Sequence, residues 1–166
     1  MLGMARLSHI GPDGRARMVD VQAKPVTHRF AVAAAEIVVQ PATLRAIRAG
    51  RTRKGNVVET ARIAGIGAAK QTSALIPLCH PLALTNVAVD ISFRPPRTVD
   101  IRARAEAMDR TGVEMEALTA AAVAALTVYD MCKALDREIE IRRLRLLEKA
   151  GGKSGHFMRV EKRKRK

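Results

Sequence analysis

The fold is decided by residues 84–109, which read LTNVAVDISFRPPRTVDIRARAEAMD. Apolar and polar residues alternate from residue 84 to 93 and again from residue 98 to 109. This period of two is that of a strand with one buried face. The RPPR segment between the two runs predicts a turn, so the stretch is interpreted as an antiparallel hairpin. Its apolar face must be covered by another layer of structure.

The residues before the hairpin predict one strand and two helices. RFAVAAAEIVVQ at residues 29–40 is typical of a strand, and Pro41 suits the first turn of a short helix. Residues 57–76 carry apolar side chains at close to helical spacing. Gly65 and Gly67 weaken this second helix but permit another backbone to approach closely.

The residues after the hairpin predict a long helix and a last strand. Thr111 and Glu114 have the spacing of a capping box, so the helix is expected over residues 113–135. Residues 137–149 alternate again and predict a strand. The order of strand, helices, two strands, helix and strand predicts an α+β fold, with helices on one face of an antiparallel sheet.

The predicted organisation is one domain with irregular ends. A single α+β domain is expected at residues 28–150, after an irregular segment at residues 1–27. A flexible GGKSG loop is expected at 151–158 and a disordered basic tail at 159–166. The absence of a signal peptide and of a membrane span, together with only two cysteines, predicts a cytoplasmic protein with reduced thiols.

The charge favours anionic partners. The net charge is +14, and it stays at +9 without the tail. A nonenzymatic basic module that binds RNA or ribosomes is therefore one candidate function. With one Tyr, three Phe and no Trp, the chain has few rings on which bases could stack. That shortage argues against nucleic acid as a partner.

YDMCKAL at residues 129–135 is the first stretch that could carry chemistry. Asp130 and Lys133 are three residues apart, so both side chains leave the same face of the predicted helix. They could exchange protons with a substrate or hold a phosphate. The alternative is a surface ion pair that contributes about 0.3 kcal/mol.

IPLCHPL at residues 76–82 is the second such stretch. Pro77 and Pro81 restrict a loop that carries Cys79 and His80, as a preformed site requires. Both side chains could instead be ordinary buried residues. Zinc is not expected at Cys79, His80 and Cys132, because the chain has no paired-ligand spacing.

Two lysines could contact a phosphate. Lys54 stands beside Gly55 in a basic loop, and Lys70 follows two alanines on the second helix. A solvated loop charge and a snorkelling side chain are the alternatives.

Glu114 and Glu116 open the long helix, where carboxylates also suit the helix dipole. Glu116 and Asp130 share one stripe of that helix but lie roughly 21 Å apart along it. One small substrate cannot touch both on one chain. They therefore serve either separate roles or a site made by two chains.

Taken in order, five runs of the sequence resemble the molybdenum cofactor biosynthesis protein C family, the cyclic pyranopterin monophosphate synthases. The runs are LSHI, MVDV, KGNVVETARIAGIGAAKQTSALIPLCHPL, TGVEMEALTAAAVAALTVYDMCKAL and GGKSG. One departure is Asn56, where the family usually has aspartate.

The resemblance implies a ferredoxin-like fold, a homohexamer built as a trimer of dimers, and sites at the dimer interface. It implies a phosphorus–oxygen lyase that converts 3′,8-cyclo-7,8-dihydroguanosine triphosphate to cyclic pyranopterin monophosphate and pyrophosphate. A radical S-adenosylmethionine enzyme supplies that substrate, and no cofactor or metal is implied.

Matched by motif, Asp130 and Lys133 correspond to the family's catalytic pair. Site residues are matched by Lys54, Lys70, Leu78, Cys79, His80, Glu114, Met115 and Glu116. On chemical grounds Asp130, Lys133 and His80 could move protons, and Lys54, Lys70 and Lys133 could supply cations around a triphosphate.

Overall fold

The computed structural model describes residues 9–11, 13–153 and 155–160. Its strands and helices follow one another in the order expected from the sequence, with a short helix and a short strand added. They are β1 (Thr27–Val38), α1 (Pro41–Arg48), α2 (Val57–Ala69), α3 (Thr72–Leu75), β2 (Leu84–Arg94), β3 (Thr98–Asp109), α4 (Glu114–Cys132), β4 (Glu140–Ala150) and β5 (Phe157–Met158).

The sheet is antiparallel throughout, in the order β2-β3-β1-β4-β5. The predicted hairpin is confirmed, with Ile91 opposite Ile101 in its register. The central strand β1 pairs with β3 on one side and β4 on the other. This arrangement of the first four strands is that of a ferredoxin-like fold, so the predicted α+β class is confirmed.

Helices α2 and α4 cover one face of the sheet through small side chains. The inner faces of β1 and β3 carry fully buried alanines such as Ala33 and Ala105. Helix α4 meets them with Ala117, Ala121 and Ala124, none of which is exposed. Because these side chains are short, the helix backbones lie close to the sheet, and the core is thin and dense.

The second predicted helix is shorter than expected. Residues 57–76 were expected as one helix, but α2 ends at Ala69 and a separate turn of helix, α3, begins at Thr72. The Thr72 hydroxyl donates to the Ala69 carbonyl oxygen at 2.9 Å. This bond satisfies a terminal carbonyl of α2 and stabilises the break.

The predicted capping box is wrong. The N-cap of α4 is Val113, and no side chain caps the helix there. The Glu114 carboxylate is bound instead by the Lys149 ammonium at 2.7 Å. Glu114 therefore forms an ion pair with a residue of β4 and does not cap its own helix.

At the carboxyl end, β5 pairs with β4 through Phe157 and Met158, within the segment expected as a loop. The Arg159 N–H also donates to the Leu147 carbonyl oxygen at 2.7 Å. The remainder of the expected basic tail, residues 161–166, lies outside the described residues, as do residues 1–8 at the other end.

Helix α4 is long and apolar enough, by length and composition, to cross a membrane. It lies across the sheet, however, and its alanine face is buried in the core. A helix inside a globular core meets the same criterion.

Gly65 and Gly67 provide a matched test of the α2–α4 packing. A Cβ at Gly65 would lie 2.9 Å from the Ala120 carbonyl oxygen, whereas a Cβ at Gly67 meets nothing within 4 Å. We expect Gly65→Ala to lower the free energy of unfolding by about 1–3 kcal/mol, because a backbone must move. Gly67→Ala should raise it by up to about 1 kcal/mol, since alanine favours the helix. Urea unfolding of both variants measures the two changes, and equal effects would contradict a close approach at Gly65.

Candidate functional site

Helices α2 and α4 run antiparallel, so their ends create two separate groups of polar side chains. Lys54, just before α2, contacts Asp130 near the end of α4. Gly65 lies against Ala120 and Ala124 midway along the pair. The other end of α2 leads into the Cys79–His80 loop, beside the start of α4.

The first group, the lysine–aspartate cluster, consists of Lys54, Asp130 and Lys133. The Lys133 ammonium lies 2.6 Å from Asp130 Oδ1, and the Lys54 ammonium lies 2.9 Å from Oδ2. Lys54 also donates to the Asp130 carbonyl oxygen at 3.0 Å. The surface ion pair considered from the sequence is thus a three-residue cluster that joins two parts of the chain.

The contacts within the cluster shift the pKa values of Asp130 and Lys133. Hydrogen bonds from Lys133 and Lys54 lower the pKa of Asp130 to about 2, so this carboxyl is ionised at neutral pH. The same contact raises the pKa of Lys133. The cluster therefore presents two ammonium groups held by one carboxylate, with more than half of the Asp130 side chain exposed.

Asn56 lies between the loop that carries Lys54 and the start of α2. Its side-chain oxygen accepts a hydrogen bond from the Glu59 N–H at 3.1 Å and so caps α2. Asparagine is as good an N-cap residue as aspartate. Gly55, with a φ of +94°, lets the loop turn into the helix. Asn56 thus caps the helix without adding the negative charge that an aspartate would carry.

The second group lines a cavity of about 580 Å³, the loop cavity, at the other end of the helix pair. It brings together six of the residues predicted from the sequence, which come from the proline-flanked loop and from the first turn of α4. They are Leu78, Cys79, His80, Glu114, Met115 and Glu116.

Glu116 is the most unusual side chain of the loop cavity. It is 3% exposed, and its Oε2 atom has no hydrogen-bond partner among the described residues. Burial, with a contribution from nearby Glu114, raises its pKa to about 7. Burial also raises the pKa of the Cys79 thiol, and Glu116 adds to that effect. Glu116 can therefore take up or release a proton near neutral pH.

Lys70 lies apart from both groups. It is exposed at the end of α2 and lines a smaller cavity of about 380 Å³, which shares Leu82 with the loop cavity. The 13 residues of α2 separate it from Lys54, a distance of roughly 20 Å along the helix. The structure thus does not bring the two lysines together on one chain.

Sequence reasoning missed several residues of the loop cavity. His9, Val19, Val21, Lys24 and Lys149 also line it. His9 belongs to the LSHI run, and both valines belong to MVDV, which carried the family resemblance without being given a role. The two runs could thus be recognised in the sequence. Nothing in this polar N-terminal segment, however, predicted that it would lie beside α4.

The Cys79, His80 and Cys132 side chains do not mark a metal site in the structure. Within residues 9–11, 13–153 and 155–160, no group of three or more His, Cys, Asp or Glu side chains could hold a metal ion. Cys132 is fully buried, and burial raises its pKa to about 11. It therefore behaves as a small core residue.

Comparison with known proteins gives consistent results. The family model described as MoaC family matches residues 18–152. A cyclic pyranopterin monophosphate synthase from Thermomicrobium roseum is 57% identical over 159 residues, which cover 95% of this chain and 96% of that protein. Proteins of the same name from Desulfitobacterium hafniense and a Roseiflexus species are 53% and 56% identical, over 93% of this chain and 95% and 99% of theirs.

The raised pKa of Glu116 predicts a pH-dependent stability. Between the usual glutamate value of 4.5 and about 7, the folded protein holds a proton that the unfolded chain releases. The free energy of unfolding should therefore fall as pH rises through this window, by about 3 kcal/mol in all. Glu116→Gln should remove that fall, which urea unfolding at a series of pH values measures.

Glu59→Gln, at an exposed side chain, is the control for this experiment. A difference between wild type and Glu116→Gln that stays constant from pH 4.5 to 7 would contradict the burial of an unpaired carboxyl at this position.

Proposed function

The chain belongs to the MoaC family, and on that premise we propose that it makes cyclic pyranopterin monophosphate. The reaction takes 3′,8-cyclo-7,8-dihydroguanosine 5′-triphosphate, releases pyrophosphate, and is an early step of molybdenum cofactor biosynthesis. The observation that carries this proposal is the 57% identity to a synthase over 95% of the chain. The chain also contains each of the site residues matched by motif.

A lyase of this kind needs proton transfers, and we assign them to both ends of the helix pair. Lys133, held protonated beside Asp130, can donate a proton and stabilise developing negative charge. Asp130 itself is a weak base while both lysines bind it, so its first role is to orient them. In the loop cavity, Glu116 can accept a proton near neutral pH, and the His80 imidazole is a second candidate for proton transfer.

We further propose that each site is made by two chains. The lysine–aspartate cluster and the loop cavity lie at opposite ends of α4, which has 19 residues, and are about 20 Å or more apart. Ile63 and Leu126 are exposed apolar side chains near the midpoints of α2 and α4. A second chain packed there about a two-fold axis would bring its cluster to the first chain's cavity.

The assembly, the cellular location and the source of the substrate are inferred from the family resemblance. The proposal includes a homohexamer built as a trimer of dimers, a cytoplasmic location, and supply of the substrate by a radical S-adenosylmethionine enzyme. The alternative of a nonenzymatic RNA-binding module has no support from the relatives, because the three described above carry the name of an enzyme.

Turnover of the cyclised guanosine triphosphate tests the function directly. Pyrophosphate release and pterin fluorescence after oxidation follow the two products separately. If the purified protein yields neither product from this substrate, the proposed function is wrong.

Asp130→Asn should reduce turnover by roughly a hundred- to ten-thousandfold, the usual contribution of an acid–base group, because Asp130 holds the proton donor Lys133 in place. The amide carries no charge, so it no longer holds Lys54 and Lys133 as an ion pair. Asp90→Asn is the matched control, because that carboxyl is exposed on β2. Near wild-type turnover by a folded Asp130→Asn protein would refute the assignment.

Mixed dimers test the composite site. Glu116→Gln and Asp130→Asn subunits should each be inactive alone. A mixed dimer should regain measurable activity, because one of its sites collects both lesions and the other neither. Mass spectrometry of tagged chains must first confirm subunit exchange. Mixed dimers that form but stay inactive would show that the two residues do not meet across an interface.

A further inference from the structure

Lys54 reaches Asp130 from a loop, and one side chain of that loop closes the turn on which Lys54 lies. The Gly55 N–H donates to the Thr52 carbonyl oxygen at 3.1 Å, which closes a β-turn over residues 52–55. Arg53 and Lys54 are the two central residues of this turn. The Thr52 hydroxyl also donates to the Gly55 carbonyl oxygen. Thr52 therefore binds both the N–H and the carbonyl group of Gly55, and two bonds close the turn.

The two ends of the loop are fixed by other contacts. The Arg51 N–H donates to the Ala46 carbonyl oxygen at 3.0 Å, so the loop starts against the last turn of α1. The Asn56 side chain caps α2, so the loop ends at that helix. Neither contact involves Arg53 or Lys54. The position of Lys54 between the two ends thus depends on the turn itself.

Within the part of the chain that the structure describes, residues 52–55 make only two kinds of hydrogen bond. One is the pair of bonds between Thr52 and Gly55. The other is the contact of the Lys54 ammonium with Asp130, at 2.9 Å to Oδ2 and 3.0 Å to the carbonyl oxygen. Without the Thr52 hydroxyl, a single backbone bond would keep the turn closed whenever Lys54 is released from Asp130.

Charge and rotamer freedom both oppose the closed turn. Residues 51–54 read RTRK, so the turn brings Arg53 and Lys54 side by side next to Arg51, and like charges repel. A lysine side chain also loses rotamer freedom when its ammonium is held in one place. One hydrogen bond changes an equilibrium by roughly twofold to tenfold. The bond from the Thr52 hydroxyl is therefore large enough to decide how often Lys54 lies at Asp130.

We propose that Thr52 is a positioning residue for Lys54: its hydroxyl keeps the 52–55 turn closed and so places the Lys54 ammonium at Asp130. Thr52 acts through Lys54 and is not itself a catalytic residue. This inference rests on the proposed function and deepens it, because it names the group that keeps one cation of the lysine–aspartate cluster in place. Cations ordered before the reaction stabilise developing charge better than cations that must first be ordered.

Thr52→Val removes the hydroxyl and keeps the branched shape of the side chain. In turnover of the cyclised guanosine triphosphate, kcat/KM should fall by roughly three- to tenfold, the effect of one hydrogen bond on an equilibrium. Thr52→Ser should stay within about twofold of the wild type, because serine carries a hydroxyl that can make the same bond. A serine variant as slow as the valine variant would overturn the proposal.

A double-mutant cycle separates positioning from a general loss of structure. If Thr52 acts through Lys54, Lys54→Ala already loses everything that Thr52 contributes. Thr52→Val/Lys54→Ala should therefore keep the kcat/KM of Lys54→Ala alone, within about twofold. Two losses that multiply would overturn the proposal, because they would show that Thr52 acts independently of Lys54.

Trace acetylation with acetic anhydride tests the position of Lys54 without turnover. The reagent must reach the Lys54 amine, which is bound by two oxygen atoms of Asp130. Mass spectrometry of digests gives the extent of acetylation relative to Lys153, an exposed lysine. Acetylation of Lys54 should rise at least about threefold in Thr52→Val, because the open turn releases the amine. It should keep its wild-type extent in Thr52→Ser.

Thr60→Val is the matched control. The Thr60 hydroxyl donates to the Asn56 carbonyl oxygen at 2.7 Å, which is the same kind of bond in an exposed position, but it does not close the turn. This variant should change the acetylation of Lys54 and kcat/KM by less than about twofold, as surface substitutions do. Equal acetylation of Lys54 in wild type and Thr52→Val would overturn the proposal, as would an equal rise in Thr60→Val.

The positioning role and the proposed function fail separately, because acetylation needs no turnover. Release of Lys54 in Thr52→Val, seen in a protein without synthase activity, would refute the function alone. An active enzyme in which Thr52→Val changes neither the acetylation of Lys54 nor kcat/KM would refute the positioning role alone.

Discussion

The close contact of α2 with α4 is the constraint on which the site depends. Gly65 allows this contact, since a side chain there would meet the Ala120 carbonyl oxygen and the Ala124 methyl group. The antiparallel pair then places the loop before α2 at one end of α4 and the proline-flanked loop at the other. A wider separation of the helices would move Lys54 away from Asp130, so the geometry of the lysine–aspartate cluster depends on a glycine in the core.

Two carboxyl groups on one helix have opposite properties because of their surroundings. Asp130 is exposed and bound by two ammonium groups, which lower its pKa to about 2. Glu116 is buried without a partner, which raises its pKa to about 7. Pairs of titratable groups with pKa values moved apart are the usual basis for separating acid and base roles. Here the separation is also spatial, and for this reason we propose that the two roles meet where two chains meet.

The sequence predicted the fold well because its signals are local and periodic. The hairpin, β1 and α4 each follow from one run of residues with a clear period. The break in the second helix was not predicted, since the Thr72 hydroxyl contact is a detail of capping rather than of periodicity. The capping box failed for a different reason. Lys149, 35 residues away, binds Glu114, and tertiary contacts of this kind override local propensity.

The candidate site was predictable where a motif carried chemistry within a few residues, as in YDMCKAL and IPLCHPL. A cavity of about 250 Å³ beside the loop cavity was not predictable, because the five cations that line it come from four separated parts of the chain: residue 24, residue 29, residue 110, and residues 149 and 153. None of these five cations stands out in the sequence, because the chain contains 30 lysines and arginines.

The excess positive charge, taken from composition alone, suggested nucleic acid as well as small phosphates. The folded chain gathers part of that charge around one cavity, beside the buried guanidinium of Arg29, which has no carboxylate of the described residues within ion-pair distance. A surface for nucleic acid needs cations spread along a path of phosphates many ångströms long. Cations that converge on a cavity of about 250 Å³ suit a small anionic ligand instead. The same net charge thus favours a different partner once the positions of the charges are known.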